Sequence, residues 1–356
     1  MKRIDTFLEL VVNQKGSDLH LVSGNPPRIR LYGELLPVKY RELTVEETAA
    51  LIHETMTPET AKLFTERYNL DYAYEASGLA RFRVNVFRHL HGLGAVLRVI
   101  PSKVLSMEEL SLPPVLKSLC REKKGMILVT GPTGSGKSTT LASMVDFINR
   151  DRKGHIITIE DPVEFVHQRK GCLMSQREVG TTASSFSAAL HSCLREDPNV
   201  ILVGELRDLE TISLAVTAAE TGILILGTLH TNGAAATVDR IINAFPANEQ
   251  PRIRTMLSTS LCGVISQQLV RRADGKGRLA AMEILLNNTA TANLIREGKT
   301  GQLVGVIERG GLLGMQSLDN ALRNMLDAKQ ITATEAYNKA VNKSLFETLR
   351  EQEGAE

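Results

Sequence analysis

The chain has 356 residues, a formal net charge of +2, 43% apolar residues and 23% charged residues. This length exceeds what one hydrophobic core usually supports, so two domains are expected. Near-neutral charge and 4% aromatic residues, with no tryptophan, argue against a surface that binds and stacks nucleic-acid bases. The four scattered cysteines form no C-x-x-C pair, which predicts reduced, packed thiols and no zinc site. No apolar run suits a membrane span or a signal peptide, so we expect a soluble cytoplasmic protein.

Residues 1–100 have the pattern of a small α+β domain. A helix is predicted over Ile4–Val12, where apolar residues recur on one face. Two further helices are predicted after the capping residues Thr44 and Thr57. The predicted strands, with Gly33 at a hairpin tip, are Leu19–Val22, Arg28–Tyr32, Ala80–Arg88 and Ala95–Ile100.

A proline-containing stretch over residues 101–121 is predicted to link this domain to the next one. Such a connector restricts the relative motion of what it joins without forbidding it. Over residues 122–356, apolar strands alternate with helices, which predicts a mainly parallel sheet wrapped by helices. The strands predicted there are 126–130, 155–159, 200–203, 223–228 and 278–285. After about residue 287 only helical patterns remain.

One glycine-rich stretch after the first of these strands fits the pattern G-x-x-x-x-G-K-[ST] at every fixed position. Its residues are Gly131, Pro132, Thr133, Gly134, Ser135, Gly136, Lys137, Ser138 and Thr139. A buried strand precedes it and a helical pattern follows, which separates a phosphate-binding loop (P-loop) from a chance glycine turn. Backbone N–H groups and the helix N-terminus would hold phosphate, Lys137 would reach the β- and γ-phosphates, and Ser138 would bind Mg²⁺. The sequence therefore predicts a nucleoside triphosphate site.

Carboxylates follow the next two predicted strands, and ligands in parallel sheets bind beyond the carboxyl ends of strands. Glu160, Asp161 and Glu164 follow the second strand. Pro162 fixes the backbone there, so Glu164 could face a water in line with the γ-phosphorus, although caps and solvent-facing charges remain an alternative. Glu205 ends the third strand in the Walker B pattern, in which a carboxylate serves Mg²⁺.

Histidine and arginine candidates are less specific. His230 follows the fourth strand, where it could sense the γ-phosphate or be a structural histidine. Arg81 and Arg83 share one face of a predicted strand in the first domain, and a P-loop site often uses an arginine against transition-state charge. Six other arginines of the second domain stay open as candidates: Arg195, Arg207, Arg240, Arg271, Arg272 and Arg278.

These strand ends, in this order, resemble those of the bacterial secretion-type ATPases of the RecA-like class, and within it the type IV pilus retraction ATPases. The resemblance covers nearly the whole chain, including residues 16–21 and Pro26–Pro27. The motifs that carry it are the arginine strand at Ala80–Asn85, the Asp box at Ile159–Phe165, the Walker B motif at Gly204–Asp208 and the His box at Gly227–Asn232.

The resemblance implies a PAS-like first domain joined to a RecA-like ATPase domain, six copies closing into a ring, and ATP bound where the two domains meet. It assigns phosphate and Mg²⁺ to Lys137 and Ser138, the general base to Glu164, the metal to Glu205 and the γ-phosphate to His230. Arg81 and Arg83 would approach the nucleotide. The implied partners are an inner-membrane pilus platform protein, pilin through it, and a second retraction ATPase, at the cytoplasmic face of the inner membrane. No nucleic acid and no membrane insertion are expected.

One segment departs from the retraction pattern A-I-R-N-L-I-R-E, because Thr291 and Ala292 stand where isoleucine and arginine are expected. The departure bears on the direction of work and leaves ATP hydrolysis untouched. An accessory retraction ATPase and a pilus-assembly or type II secretion ATPase therefore remain alternatives. The missing tetracysteine zinc loop and extra N-terminal domains favour retraction over assembly. A nucleic-acid translocase is disfavoured by composition, and a GTPase by the absence of Asn-Lys-x-Asp after the P-loop.

Overall fold

The computed structural model describes residues 2–31, 34–100 and 103–353. The chain forms two compact units, the first comprising residues 1–103 with 162–166, and the second 104–161 with 167–356. The chain therefore passes between units three times, after residues 103, 161 and 166. The predicted strand end at Tyr32, the hairpin tip at Gly33 and the first two linker residues, 101 and 102, lie outside the described residues.

The first unit contains one six-stranded antiparallel sheet and three helices within its described residues. The sheet order is β3-β2-β1-β6-β5-β4, so the first and last thirds of the unit meet through the β1–β6 pair. The elements are α1 (Arg3–Asn13), β1 (Asp18–Val22), β2 (Arg28–Leu31), β3 (Glu34–Pro37), α2 (Val45–His53), α3 (Pro58–Arg67), β4 (Asn69–Ala76), β5 (Ala80–His89) and β6 (Gly92–Ile100). The sequence did not predict β3 and β4.

The two faces of this sheet differ because side chains alternate along each strand. Apolar residues such as Leu19, Val84 and Leu97 are fully buried and form a core with residues of α1, α2 and α3. The opposite face is polar and carries arginines. The α+β class predicted for this part of the chain is therefore confirmed.

A buried carboxylate ties together three strands on the polar face. Asp18 is 2% exposed, and its two carboxylate oxygens accept hydrogen bonds from Ser17 Oγ at 2.7 Å and Arg98 Nε at 2.8 Å. Arg30 Nε lies 3.8 Å from the same carboxylate. Burial by itself raises the pKa of Asp18, but the hydrogen bonds from Ser17 and Arg98 and the Arg98 charge outweigh it, so the net pKa is lowered.

Replacing Asp18 by asparagine is expected to lower the free energy of unfolding at pH 7 by about 1–3 kcal/mol, because a charge-assisted hydrogen bond is lost. The folded pKa lies below the unfolded value, so the ionised carboxylate stabilises above about pH 4 and this contribution disappears as pH falls through the folded pKa. Thermal unfolding at pH 7 and at low pH tests this. Asp274→Asn, in the exposed Arg272–Asp274 pair, is the control and should change little; an equal loss in both variants would contradict the assignment.

The second unit is built on a seven-stranded sheet in the order β13-β12-β7-β11-β10-β8-β9. Every described pair is parallel except β12–β13. Its strands are β7 (Gly125–Thr130), β8 (His155–Glu160), β9 (Leu173–Glu178), β10 (Val200–Val203), β11 (Leu224–Leu229), β12 (Leu261–Arg271) and β13 (Arg278–Leu286). All five predicted strands are present, and each of their ends lies within one residue of its predicted position. The sequence did not predict β9 and β12.

Helices cover both faces of this sheet. They are α4 (Val115–Cys120), α5 (Lys137–Asp151), α6 (Phe186–Cys193), α7 (Leu209–Thr221), α8 (Ala234–Asn243) and α9 (Gln250–Ser260). Alternate residues of the strands enter two separate cores, as Met126 and Leu128 do on one face and Ile127 and Val129 on the other. Strands buried on both faces read as continuous apolar runs, which is why the central strands could be predicted.

Most of the stretch predicted as a linker is packed into the second unit. Residues 104–121 belong to the second unit, and α4 lies within them. Met107, Leu112 and Leu116 pack into the core on the α5 side of the sheet. Two of the prolines that suggested a linker, Pro113 and Pro114, lie just before α4, and Pro114 is the residue preceding the first helical position.

The C-terminal part is helical, as predicted. After β13 come α10 (Thr289–Arg296), the 3₁₀ turn Thr300–Gln302, α11 (Leu303–Arg309), the 3₁₀ turn Gly311–Leu313, α12 (Leu318–Asp327), α13 (Ala333–Lys339) and α14 (Ser344–Glu353). Leu318, Leu322 and Phe346 form a small core with Val270 of β12. No helix in the described part of the chain is long and apolar enough to cross a membrane.

Candidate active site

The predicted P-loop joins the buried strand β7 to helix α5 at the carboxyl edge of the sheet. Gly131, Gly134 and Gly136 have φ values of 137°, 79° and 87°. Residues other than glycine rarely adopt these φ angles, so the glycines allow the backbone to curl before the helix begins. The curl and the N-terminus of α5 together form the arrangement of N–H groups that binds phosphate.

Lys137 begins α5 and is 9% exposed. Its Nζ donates to the carbonyl oxygens of Gly131 at 2.9 Å and Pro132 at 3.1 Å, so the ammonium group lies against the start of the loop. Ser135 is 3% exposed, and its Oγ has no hydrogen-bond partner among the described residues. A buried hydroxyl without a partner inside a phosphate-binding curl fits a site that receives an oxygen-rich ligand. Around it, Pro132, Thr133 and Gly134 are exposed, and Ser138 and Thr139 are half-buried.

The carboxyl ends of the four predicted strands lie along one edge. In the sheet, β7 pairs with β11, β11 with β10, and β10 with β8, all in parallel. Residues after these strands therefore approach one another, as the order of the motifs predicted. Glu205 and His230 illustrate this, since His230 Nε2 lies 3.3 Å from Glu205 Oε1.

Glu205 is also paired with Arg207, whose Nη2 lies 2.7 Å from Glu205 Oε2. Burial raises the pKa of Glu205, but the hydrogen bond and charge of Arg207, together with His230, lower it by more, so its net pKa lies below the ordinary value. The hydrogen bond that Arg207 donates to Glu205 likewise raises the pKa of Arg207. The carboxylate is therefore ionised at neutral pH, the state that a Mg²⁺ ligand needs. The Ser138 hydroxyl and the Glu205 carboxylate are oxygen donors of the kind that Mg²⁺ prefers.

The acidic cluster after β8 is divided between the two units. Glu160 stays with the second unit, where its Oε1 accepts a hydrogen bond from Thr158 Oγ1 at 2.7 Å. Glu164 is exposed and lies in the segment 162–166, which belongs to the first unit. Its role as the general base therefore stays a prediction.

The chain is held to helix α5 directly after this segment. Asn149 is fully buried; its Nδ2 donates to the Gln168 carbonyl at 2.8 Å and its Oδ1 accepts from the Cys172 N–H at 3.1 Å. Lys170 Nζ lies 2.5 Å from Asp146 Oδ1. The helix that begins with Lys137 thus also fixes the residues that follow Glu164. Sequence reasoning missed these anchors; the only signal was a polar asparagine on the apolar face of a helix.

Arg81 and Arg83 lie on β5 in the first unit, with both side chains on the polar face of the sheet. Arg83 Nε lies 3.5 Å from Asp71 Oδ1 on the neighbouring strand β4. Arg83 is 41% exposed at its side chain, so this ion pair is weak and the guanidinium can turn to another anion. Their approach to the nucleotide stays a prediction.

Among the six other candidate arginines, Arg207 contacts a predicted site residue through its pair with Glu205. Arg272 pairs with Asp274. Arg271 and Arg278 are opposite each other at the end of the β12–β13 ladder. Arg240 lies on α8, and Arg195 follows α6. We assign no role in the site to Arg195, Arg240, Arg271, Arg272 or Arg278.

Comparison with known proteins places this arrangement in a family. The family model described as "Type II/IV secretion system protein" matches residues 1–354. The chain belongs to this family. The two-part fold class predicted from the sequence, a PAS-like α+β part followed by a RecA-like P-loop part, is confirmed by the structural similarity given next.

Type II/IV secretion system proteins similar to this chain include two from Pseudomonas aeruginosa. The type IV pilus retraction ATPase PilT is 50% identical over 337 residues, covering 95% of this chain and 98% of that protein. The type IV pilus ATPase PilU is 41% identical over 332 residues, covering 93% of this chain and 87% of that protein. The crystal structure of the pilus retraction motor PilT with bound ADP superposes with a TM-score of 0.91 and 41% identity, covering 98% of this chain and 99% of that one.

Proposed function

We propose that this chain is an ATP-hydrolysing motor that powers retraction of type IV pili. The observation that carries the proposal is that one unit holds the P-loop lysine, the Glu205–His230 pair and a buried Ser135 hydroxyl that has no hydrogen-bond partner among the described residues. The similarity to PilT over nearly the full length of both chains supports the retraction assignment.

The residues divide the work of phosphoryl transfer to water. Backbone N–H groups of the P-loop and Lys137 bind the phosphates, and His230 contacts the γ-phosphate. Ser138 and Glu205 would hold Mg²⁺, which neutralises charge on the β- and γ-phosphate oxygens when bound. Glu164 takes a proton from the attacking water as that water adds to the γ-phosphorus and the bond to ADP breaks. Arg81 and Arg83 balance the negative charge that develops.

Replacing Arg83 by alanine is expected to lower kcat for ATP hydrolysis by about tenfold, equivalent to about 1.4 kcal/mol of transition-state stabilisation. The fold should survive, because the Arg83–Asp71 pair is exposed and contributes little to stability. Steady-state hydrolysis and thermal unfolding check both statements. Arg323→Ala, which removes a comparable exposed ion pair on α12, is the matched control. Unchanged hydrolysis in Arg83→Ala would show that this arginine does not serve the reaction.

In the proposed assembly, six copies of this chain form a ring at the cytoplasmic face of the inner membrane. The ring acts on an inner-membrane pilus platform protein and, through it, on pilin, with a second retraction ATPase as a further partner. In this proposal residues 1–100 form a PAS-like domain and residues 122–356 form the RecA-like ATPase domain. Analytical ultracentrifugation of the purified chain with ADP tests the hexamer.

An accessory retraction ATPase is the second candidate, favoured by the similarity to PilU over most of both chains.

The departure from the retraction pattern at Thr291 and Ala292 has a local structural reason at Thr291. Thr291 is fully buried and forms a capping box with Asn288 at the start of α10. Its Oγ1 accepts from the Asn288 N–H at 2.6 Å, so threonine stabilises a helix start that isoleucine could not cap in this way.

Deleting the gene and counting surface pili distinguishes these functions. Excess pili that fail to retract are expected for the principal retraction motor, and loss of pili would indicate an assembly motor. An accessory motor would restore retraction only in a strain that keeps its principal retraction ATPase. Hydrolysis that rises on addition of DNA would instead favour a nucleic-acid translocase.

A further inference from the structure

A buried glutamine outside the recognised motifs holds the P-loop from the side. Gln267 lies in β12 and is 1% exposed. Its Nε2 donates to the Ser135 carbonyl at 2.6 Å, and its Oε1 accepts from Thr140 Oγ1 at 2.7 Å. The Ser135 carbonyl can only accept a hydrogen bond, so this partner fixes which end of the amide carries the nitrogen. One side chain thus joins the last turn of the loop to the first turn of α5.

Gln267 also packs closely against two of the P-loop glycines. A Cβ placed on Gly131 would lie 2.2 Å from the Gln267 carbonyl oxygen, and one placed on Gly136 would lie 2.9 Å from its Nε2. Cβ atoms essentially never lie this close to another atom, and the Gln267 carbonyl oxygen belongs to the backbone and cannot move aside. Gly131 is therefore needed for the loop to pack on β12 as well as for its conformation. Gln267 of β12 therefore supports the loop, and the absence of a side chain at Gly131 allows the loop to lie against β12.

The preceding residue holds the loop that carries His230. Ser266 is 7% exposed, and its Oγ accepts from the Gly233 N–H at 2.8 Å. Gly233 comes three residues after His230 and directly before α8. Because neighbouring side chains of a strand point to opposite faces, Ser266 and Gln267 reach different loops from the same point of β12.

We propose that Gln267 and Ser266 are positioning residues: Gln267 holds the P-loop in its phosphate-binding curl, and Ser266 holds the His230 loop at a fixed offset from it. Neither side chain contacts the nucleotide. The energetic reason is that a loop already held in the bound conformation loses less conformational entropy when phosphate binds. This inference rests on the proposed nucleotide binding of the P-loop.

The test is equilibrium binding of a fluorescent ADP analogue to the full chain, together with thermal unfolding in the absence of nucleotide. Gln267→Met keeps the length of the side chain and removes both hydrogen bonds, and we expect the Kd for ADP to rise about tenfold. Thr140→Val removes one of the two bonds and should raise the Kd about threefold, whereas Thr140→Ser keeps the hydroxyl and should bind as wild type does. Gln268→Met, on the next residue of the same strand, is the matched control and should also bind as wild type.

Ser266→Ala is expected to leave the Kd for ADP unchanged and to lower kcat for ATP hydrolysis, because it loosens the His230 loop alone. Gln267→Met should show the opposite pattern, in which the Kd for ADP changes more than kcat for ATP hydrolysis does. Unchanged kcat in Ser266→Ala would overturn its half of the proposal.

The outcomes separate this inference from the proposed function. If wild type fails to bind ADP, the proposed function is wrong. If wild type binds and Gln267→Met binds as tightly as Gln268→Met, Gln267 does not position the loop. A lower unfolding temperature with unchanged affinity would show a merely structural role and would also overturn the inference. Should Gln267→Met fail to fold, equal affinities of Thr140→Val and Thr140→Ser would overturn it.

Discussion

Exchanging Glu164 for glutamine is expected to leave ATP binding close to wild type and to lower the rate of hydrolysis by roughly 10²–10⁴-fold, the usual contribution of a general base. The amide keeps the size of the side chain but cannot accept the proton of the attacking water. Glu164 is exposed, so the exchange disturbs no core. Single-turnover hydrolysis and equilibrium binding of a fluorescent ATP analogue measure the two effects separately.

The matched control is Glu210→Gln, an exposed glutamate in the first turn of α7. It should hydrolyse ATP at the wild-type rate. Wild-type turnover in Glu164→Gln would remove this residue as the base. Glu160, the other glutamate of the cluster, would then be the next residue to exchange, since it lies at the end of β8.

Lys137→Ala is expected to weaken nucleotide binding and to reduce hydrolysis by about 10²–10³-fold, the usual effect of removing one preorganised donor from a transition state. The ammonium group is buried against the Gly131 and Pro132 carbonyls. Alanine therefore removes both the positive charge and a link that closes the start of the loop. Isothermal titration with ADP and a phosphate-release assay measure the change.

Lys153→Ala is the control for this variant, because Lys153 is exposed just beyond the C-terminus of the same helix. It should bind and hydrolyse ATP as wild type does. If Lys137→Ala retained full nucleotide affinity, the glycine-rich loop would not be the triphosphate site. The proposed function would then lose its basis.

The central strands and the positions of the motifs could be predicted because their signals are local. Strands such as β7 and β10 are buried on both faces and read as uninterrupted apolar runs. The parallel order of an α/β sheet then brings their carboxyl ends to one edge, where the sequence placed its candidate ligand-binding residues. The contact between Glu205 and His230 is found at that edge. No long-range information was needed for either step.

Strand β12 was not predicted because it contains buried polar residues, and those same residues hold the loops of the site. Its apolar run is interrupted by Ser266 and Gln267, which are buried yet polar, and burial of polar groups depends on partners far away in the sequence. Those partners, Gly233 and Ser135, become visible only when the chain is folded. β9 was missed because it is a polar strand at the sheet edge.

The boundary between the units was also beyond sequence reasoning. Prolines in the stretch 101–121 suggested a connector, although Met107, Leu112 and Leu116 supply apolar side chains to a core. The assignment of residues 162–166 to the first unit leaves no mark in composition at all. Both facts depend on contacts between residues that are distant along the chain.

The repeated passage of the chain between its units constrains how the protein can be recombined with its relatives. A hybrid joined at one point near residue 103 would combine residues 1–103 of one parent with residues 162–166 of the other. Because those residues group with the first unit, a working exchange has to carry them along with residues 1–103. Substitutions in these two stretches are therefore expected to be inherited as a pair when genes of this family are shuffled.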